Sequence, residues 1–457
     1  MNPIEHAMQS VMSGHEQVKY DPSRPQFHLL PPSMWMNDPN GLIYYNNKYH
    51  VFYQHNPYKP KWGAICWGHI ESSDLLHWTH LPIALAPDKE HGEKHCFSGC
   101  CVDHQGIPTI FYTSIKSLLD AVYGGQIWIA TSDSDLIQWR RHPNNPIMDK
   151  SVHQKSVLHW RDPYVWREHD IWNMVIGGQL THPKRGAVFF YTSKDLQYWA
   201  YEGILGEGDP EIHKTPWECP NLLKWTSNSI LIISPMNKVQ YSFQNRELKG
   251  NNYEKWHVFD HGKAFYAPQS MRYPQNEDRF LLWGWIKGGG HTSQWNGCFS
   301  LPRVLEIEEN TLRIQPCPEL EKLRQNPRVF NNQSAIFDFH NGCGEFIMKF
   351  SSDKNCSIQI YQNPDSKFTI TYHPSSKSIQ MGKETAFLQF PQTETILHGF
   401  IDRSVIELFI NYKECFTSRF YPTAYTDMTV DCRVPGMDLI SLKVWELNPI
   451  IQNYASN

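Results

Sequence analysis

A short motif, Asp-Leu-x-x-Trp, occurs three times in the first half of the chain at a nearly constant interval. Its acidic positions are Asp74, Asp135 and Asp195, which lie 61 and 60 residues apart. A weaker copy, NNYEKW, ends at Trp256. Self-similarity at a fixed period indicates a repeated structural unit. We interpret the motif as a turn cap followed by a Trp that packs between units, with no role in chemistry.

Each unit opens with two short runs of β-branched and aromatic residues separated by a polar turn, a pattern typical of antiparallel strands. The five opening segments read NDPNGLIYYNNKYHVFYQ, FSGCCVDHQGIPTIFYTS, RDPYVWREHDIWNMVIGG, WECPNLLKWTSNSILIIS and YAPQSMRYPQNEDRFLLWGW. Helical periodicity is absent from them. Small antiparallel sheets arranged radially form a β-propeller, which leaves only short, protected edges. We therefore predict an all-β chain with a five-bladed β-propeller at 25–315, preceded by an N-terminal extension at 1–24.

The character of the sequence changes near residue 320, where the motif stops and Trp becomes rare. Strand-like segments follow at short intervals: IFDF, EFIMKF, CSIQIY, FTITYH, TILHGFID, SVIELFIN, MTVDCRV and LISLKVWEL. This spacing is typical of a two-sheet β-sandwich, which we predict at 330–457. The Pro-bounded segment PCPELEKLRQNP predicts a linker with one short helix at 316–329.

Charge and hydropathy exclude several classes of partner. The formal net charge is −4 and no run of basic residues interrupts it, so we expect neither a nucleic-acid nor a membrane partner. The first residues contain no apolar segment like that of a secretory signal, which favours the cytoplasm. The 11 cysteines are odd in number and include no CxxC pair, which predicts free thiols and no zinc site.

Three of the opening segments carry an acid: Asp38, Asp162 and Glu218. Taken singly, Asp38 is explained as a turn residue, Asp162 as a partner of Arg161, and Glu218 as a surface acid. The repeat, however, places all three around one axis, where their mutual repulsion is costly unless a function retains them. Two carboxyl groups flanking a glycosidic bond are the minimum apparatus for hydrolysing it. Together the three acids therefore favour a glycosidase.

Several segments resemble glycoside hydrolase family 32, the invertase family, in both order and spacing. These are WMNDPNG at 35–41, FYQHNP at 52–57, WGHIESSDLLHW at 67–78, FSG at 97–99, WRDPYVW at 160–166, WECPNL at 217–222, FYAPQ at 265–269, FLLWGWI at 280–286 and DRSVIELFINYKECFTSRFYP at 402–422. The resemblance covers nearly the whole chain after about residue 25. It implies retaining hydrolysis of terminal β-D-fructofuranosyl bonds, with sucrose, sucrose 6-phosphate or short fructooligosaccharides as substrate.

The resemblance also implies residue roles. Asp38 corresponds to the nucleophile, Glu218 to the general acid and base, and Asp162 to a stabiliser of the transition state. The positions that match the fructose pocket are Asn37, Gln54, Trp62, Phe97, Ser98, Arg161, Tyr266 and Trp285. No metal or cofactor is implied, because the acid pair performs all proton transfers.

The sequence leaves other questions open. Ala64, Cys66 and His55 depart from the family's usual residues beside the pocket, so the preferred leaving group is unsettled. Lys59 and Lys61 could meet a phosphate, although solvated loop lysines explain them as well. A fructosyltransferase, an exo-acting fructanase on inulin or levan, a non-catalytic sugar-binding propeller and an inverting five-bladed glycosidase are the alternatives. The oligomeric state stays open between monomer and homodimer.

Overall fold

The computed structural model describes residues 3–18, 20–153, 156–226, 228–236, 238–244, 255–289, 294–331, 334–363, 366–390, 393–422, 427–434 and 439–454. Strands dominate these residues, in agreement with the predicted all-β class. The helices among them are α1 (Pro3–Val18), α2 (Leu118–Tyr123) and short 3₁₀ turns at Lys150–His153, Pro318–Leu323 and His340–Gly342. No helix within the described ranges is long and apolar enough to cross a bilayer.

The first 316 residues form antiparallel sheets in chain order. The first set is β1 (Met34–Tyr45), β2 (Lys48–Asn56), β3 (Cys66–Ser72) and β4 (His77–Leu85). The second is β5 (His95–His104), β6 (Ile107–Ile115), β7 (Gln126–Ser132), β8 (Trp139–Arg141) and β9 (Met148–Asp149). The third is β10 (Val157–Glu168), β11 (Ile171–Thr181), β12 (Lys184–Ser193) and β13 (Ala200–Glu207). The fourth is β14 (Trp217–Lys224), β15 (Ser229–Pro235), β16 (Gln240–Phe243) and β17 (His257–Val258).

The last set of this region joins the first one in a single large sheet. It comprises β18 (Phe265–Tyr273), β19 (Asn276–Gly289), β20 (Trp295–Phe299), β21 (Arg303–Glu308) and β22 (Thr311–Pro316). The junction is a short parallel pairing of β20 with β1, in which Met34 lies opposite Trp295. The end of the repeat region is thereby bonded to its beginning.

The repeated motif closes a tight turn in each copy. Asp74 accepts hydrogen bonds from the backbone N–H groups of Leu76 (2.9 Å) and His77 (2.8 Å). Leu75 adopts φ 67°, and the Trp78 indole donates to its carbonyl at 2.8 Å. The indoles of the other two copies donate to Leu136 (2.9 Å) and Leu196 (3.0 Å). The predicted role as a turn cap is confirmed for Asp74 and for Asp195, which accepts from the N–H groups of Gln197 and Tyr198 (both 2.9 Å). Among the described residues, Asp135 caps no N–H group.

Each motif Trp also packs edge-on against an aromatic ring of another strand set. Trp139 lies 5.6 Å from Phe52, Trp199 lies 6.0 Å from Phe111, and Trp78 lies 6.4 Å from Trp283. These contacts tie successive sheets together, as the sequence predicted. In the weaker copy, residues 251–254 lie outside the described residues, and Trp256 instead contacts Trp217 at 5.0 Å.

The C-terminal region is a sandwich of two six-stranded sheets, as predicted. One sheet has the order β23-β34-β25-β30-β31-β32 and the other β24-β33-β26-β27-β28-β29. The bounds are β23 (Arg324–Phe330), β24 (Ala335–Phe339), β25 (Cys343–Ser351), β26 (Cys356–Asn363), β27 (Ser366–His373), β28 (Ser378–Met381), β29 (Glu384–Phe387), β30 (Glu394–Asp402), β31 (Val405–Ile410), β32 (Glu414–Arg419), β33 (Met428–Arg433) and β34 (Leu439–Leu447). Their facing sides enclose one apolar core that includes Phe346, Ile358 and Leu408.

Both ends of the chain pack against the first sheet. The extension at 1–24 contains α1, whose Ala7 packs against Cys66 and Ile83 of the first sheet. The sandwich boundary at 457 needs correction, because β35 (Ile451–Tyr454) leaves the sandwich and pairs in parallel with β4. This pairing satisfies the outer edge of β4, which a four-stranded set alone would leave exposed.

A buried ionic network joins the two regions. The Arg303 guanidinium, fully buried, donates to Asp260 (2.8 Å) and to Glu407 of the sandwich (2.6 Å). His28 bridges Glu407 (3.0 Å) and Asp402 (2.7 Å). Removing one partner would leave an uncompensated buried charge, so the network ties the two regions together in one arrangement. The segment at 402–422 that carries part of the family resemblance therefore forms the interface.

Candidate active site

The predicted acids lie on the first strands of three sheets, at interruptions of the strand pairing. The register shifts between Met36 and Pro39 in β1, between Arg161 and Tyr164 in β10, and between Glu218 and Asn221 in β14. Bulges of this kind release a residue from the ladder and re-aim its side chain. Asp38 and Asp162 lie inside these interruptions, whereas Glu218 is still paired with Ser234 and directly precedes its interruption.

The three acids do not occupy the same position in their bulges, which corrects the assumption of equivalent places. Asp38 and Asp162 directly precede a proline, whereas Glu218 lies one residue earlier and Cys219 takes the position before Pro220. The offset has a physical consequence. The Cys219 thiol contacts Asp38 Oδ2 and Asp162 Oδ2, both at 3.6 Å, while Glu218 reaches different partners.

Asp38 is surrounded by neutral donors. Ser98 Oγ donates to its Oδ2 at 2.7 Å, and Asn37 Nδ2 donates to its Oδ1 at 3.0 Å. Gln54 links these two neighbours, accepting from Asn37 (2.7 Å) and donating to Ser98 (2.6 Å). Trp35 fixes the other end of the Asn37 amide with a 2.6 Å hydrogen bond from its indole. The carboxylate is thereby oriented on both oxygens.

Burial and hydrogen bonding act on the Asp38 carboxyl in opposite directions. Burial raises its pKa, and the donors Ser98 and Asn37 lower it, while the nearby Glu218 charge raises it. The net pKa lies above the usual value of a free aspartic acid. The donors are therefore required to keep the charged form accessible in this setting.

Glu218 is held by one cation and one phenol. Arg161 Nη2 donates to Glu218 Oε1, and the Tyr266 hydroxyl lies 2.6 Å from Oε2. The same hydroxyl lies 3.0 Å from the carbonyl of Ser234. A phenol has one hydrogen and can also accept. It can therefore donate to ionised Glu218, or accept from protonated Glu218 while donating to Ser234, so the site accommodates both protonation states.

Asp162 is buried, at 6% exposure, and its backbone is also constrained. Its φ is 65°, its own N–H donates to Thr113 Oγ1 at 3.0 Å, and its Oδ2 accepts from the Cys219 N–H at 3.0 Å. Burial raises the pKa of Asp162 to about 7, against the lowering effect of Arg161 and with help from the Glu218 and Asp38 charges. The group titrates near neutral pH.

Aromatic rings surround this cluster. Trp62 is 46% exposed, stacks on His95 at 5.2 Å and lies 6.0 Å from Phe97, next to Ser98 in the chain. On the other side, Trp285 contacts Trp35 edge-on at 5.6 Å. Flat apolar rings suit the faces of a sugar, and an exposed ring is free to contact one.

The contacts link four of the eight predicted pocket residues directly to the acids. Asn37 and Ser98 bind Asp38, with Gln54 behind them, and Arg161 and Tyr266 bind Glu218. Trp62, Phe97 and Trp285 connect to the acids only through neighbouring residues. Sequence reasoning missed Trp35, Thr113 and Lys287. Trp35 and Lys287 stand within or beside quoted family segments, whereas Thr113 had no signal in its surroundings.

The pKa of Asp162 gives a testable pH dependence of stability. Between pH 4 and about 7 the folded state holds a proton that the unfolded state releases, so stability falls as pH rises through this window. Asp162→Asn removes the titration, and Asn tolerates a positive φ. Between pH 5 and pH 8, the free energy of unfolding of this variant should rise by about 1–4 kcal/mol relative to that of the parent, as measured by urea unfolding.

A matched variant, Asp195→Asn, should show the opposite pH dependence of stability. Backbone donors from Tyr198 and Gln197 lower the pKa of Asp195, so its contribution to stability is present above pH 4 and lost as pH falls below it. The difference in the free energy of unfolding between Asp195→Asn and the parent should therefore shrink as the pH falls below 4. A parallel pH profile for the Asp162 and Asp195 variants would contradict the assignment.

The chain matches known proteins over almost its full length. A profile described as "Glycosyl hydrolases family 32 N-terminal domain" matches residues 28–316, and "Glycosyl hydrolases family 32 C terminal" matches residues 319–446. The sucrose-6-phosphate hydrolase of Zymomonas mobilis is 32% identical, with 87% of each chain covered. A raffinose invertase of Escherichia coli is 30% identical, covering 88% of this chain and 90% of its own.

Solved structures agree with these relatives. A β-fructofuranosidase of Bombyx mori superimposes with a TM-score of 0.84 at 28% identity, covering 99% of this chain and 100% of its own. A mutant of the same enzyme has been solved in complex with sucrose, and it also superimposes with a TM-score of 0.84 at 28% identity, covering 98% of each chain.

Proposed function

The chain belongs to glycoside hydrolase family 32, and from that premise we propose how its residues hydrolyse a terminal β-D-fructofuranosyl bond. The protein is a β-fructofuranosidase, with sucrose or a close derivative as its substrate. One observation carries the assignment of roles. Asp38 is aligned by neutral donors, whereas Glu218 rests on a phenol that serves either protonation state.

Asp38 is the nucleophile. Its carboxylate attacks the anomeric carbon of the fructosyl unit, the bond to the leaving oxygen breaks, and a fructosyl ester forms. Ser98 and Asn37 hold the two carboxylate oxygens, so attack needs little further reorganisation. These donors are neutral, so they orient the charge without quenching it as an ion pair would.

Glu218 is the acid and then the base. It gives its proton to the leaving oxygen in the first step. In the second step it takes a proton from water while the water oxygen bonds to the anomeric carbon and the ester bond to Asp38 breaks. The Tyr266 hydroxyl follows these changes by switching between Glu218 and the Ser234 carbonyl. Arg161 holds the other oxygen, so the carboxyl plane stays fixed while its proton comes and goes.

Asp162 stabilises the transition state by accepting hydrogen bonds from fructosyl hydroxyls that strengthen as positive charge develops. Its Oδ2 already binds the Cys219 N–H, so its second oxygen is available for the sugar. The pocket residues complete the fructose site, with Trp62 at the rim. Cys219 is a packed neighbour of both aspartates and no nucleophile, since burial raises the pKa of its thiol well above the usual range.

We assign five blades to the N-terminal region, at 25–315. Support comes from contacts among the first strands: β1 lies against β5, β5 against β10, β10 against β14, β14 against β18, and β18 against β1. The large joined sheet then divides into a first and a fifth blade. The fifth blade ends with β22 at Pro316, and the first sandwich strand, β23, begins at Arg324, so we shorten the linker from the predicted 316–329 to 317–323.

A cytoplasmic location is part of the proposal. All 11 cysteines are free thiols, and all except Cys219 are buried. Free thiols in this number fit a reducing compartment. A cytoplasmic enzyme meets imported small sugars, which favours sucrose or its phosphate over polymers.

The proposal predicts net retention with a small substrate. Proton NMR of sucrose hydrolysis should detect β-fructofuranose as the first product, and kcat/KM should be higher for sucrose or sucrose 6-phosphate than for inulin or levan. Inverted fructose as first product would contradict the nucleophile assignment. A dominant yield of fructosyl-sucrose at millimolar substrate would assign a transferase instead.

A further inference from the structure

Lys287 stands beside the acids without a role in the mechanism above. It lies on β19 where the pairing with β20 shifts register between Ile286 and Gly289, so a bulge aims its side chain. Its ammonium lies 4.0 Å from the centre of the Tyr266 ring and 5.7 Å from that of Trp285. Among the described residues, no carboxylate or carbonyl accepts a hydrogen bond from it.

The charge of Lys287 interacts with the charges of Asp38 and Glu218. Burial lowers the pKa of its ammonium, while the charges of Asp38 and Glu218 raise it. Partial burial without an acceptor is costly for a cation. A ring face compensates only part of this cost. The ammonium therefore retains hydrogen-bonding capacity beside Tyr266, which contacts Glu218, the residue that protonates the leaving group in the proposed mechanism.

The sandwich holds the backbone of Lys287 in place. Arg419 Nε donates to the Lys287 carbonyl at 3.1 Å, and its Nη2 donates to the carbonyls of Gly288 (2.9 Å) and Ile286 (3.3 Å). One guanidinium thus binds three successive carbonyls. A long side chain on a fixed backbone loses less entropy when it binds a ligand than one on a mobile loop.

We propose that Lys287 binds the phosphate of a phosphorylated leaving group, a sugar phosphate ester such as sucrose 6-phosphate. The inference rests on the proposed function and names the substrate class of that same site. The ionised Asp38 carboxylate repels a dianionic substrate, and Arg161 already serves Glu218 and Asp162, so a phosphorylated substrate needs a further cation. Lys59 and Lys61, the lysines singled out in the sequence, lie exposed on the Trp62 loop and are less suited.

Lys287→Met provides the test, with the ratio of kcat/KM for sucrose 6-phosphate to that for sucrose as the readout. A charge-assisted hydrogen bond predicts a fall of about 10- to 100-fold in this ratio. Inhibition by glucose 6-phosphate should weaken in parallel, relative to inhibition by glucose. Inorganic phosphate alone is the third arm, and its inhibition should also weaken if the phosphate group itself is recognised.

Two controls separate this proposal from its premise. Lys322→Met changes net charge by the same amount on an exposed site of the linker and should leave the ratio unchanged. Lys59→Met with Lys61→Met tests the rival site, and a fall in the ratio there but not in Lys287→Met overturns the proposal. An equal loss on both substrates in Lys287→Met also overturns it. Failure of the parent to release fructose from either substrate would instead refute the proposed function.

Discussion

Asp38→Ala is expected to abolish turnover of every fructoside, with kcat on sucrose reduced by at least about 10⁴-fold. The reason is that no fructosyl ester can form without the carboxylate, whatever the leaving group. The fold should survive, because Asn37 and Ser98 keep their bonds to Gln54 when the acid is removed. Steady-state release of fructose from sucrose and from an activated aryl fructoside measures the loss, and circular dichroism with a thermal scan checks folding.

An exposed acid supplies the control for this variant. Asp170 has a side chain that is 98% exposed and, within the described part of the chain, forms an ion pair with Arg167 alone, so Asp170→Ala should retain full activity. Added azide is the sharper test of Asp38→Ala. It should occupy the space of the missing carboxylate and yield fructosyl azide of inverted configuration. Residual activity above one percent on the activated fructoside would show that another group performs the attack.

The repeated units were predictable because their signal is local. A Leu with positive φ recurs in all three copies of the motif, and an Asp that caps two N–H groups recurs in the first and the third. The strands of the sandwich could likewise be predicted, from the alternation of apolar and polar residues and from the turn residues between them. Both features depend on interactions between residues close in the chain.

The long-range contacts that close the fold could not be predicted from the sequence. The pairing of β35 with β4 joins residues more than 370 positions apart, and nothing in Ile451–Tyr454 names its partner strand. The packing of α1 on the first sheet also joins residues that are far apart in the chain, so it could not be predicted either. The Arg303 network is a further case, since its acids come from both regions and become informative only when the fold brings them together.

The structure brings together the three acids that the family resemblance named, and their roles stay a prediction. The sequence already places Glu218 one residue further from its proline than the two aspartates, but the contacts that result, with the Cys219 thiol against both aspartates, follow only from the folded site. Lys287 was not predicted as a site residue, because a lysine after an apolar strand is usually a solvated residue at the strand end. Its significance depends on Tyr266 beneath it and on Arg419 from a distant segment.

Glu218→Ala is expected to separate the two chemical steps. On sucrose, whose leaving group needs a proton, kcat should fall by about 10²- to 10⁴-fold. On an activated aryl fructoside the first step needs little protonation, so the ester should form quickly and accumulate, because no base remains to activate water. A burst of the aryl alcohol followed by slow turnover is the expected trace in stopped-flow absorbance.

Azide provides a second test of Glu218, because an anion attacks the fructosyl ester without needing a base. It should restore turnover of Glu218→Ala on the activated substrate and give fructosyl azide of retained configuration, opposite to the product expected from Asp38→Ala. Tyr266→Phe is the matched control, because it removes the hydroxyl partner at 2.6 Å but leaves the carboxyl. It should slow both substrates modestly and show no azide rescue. Equal losses on sucrose and the activated fructoside in Glu218→Ala, without a burst, would assign the proton transfer to another residue.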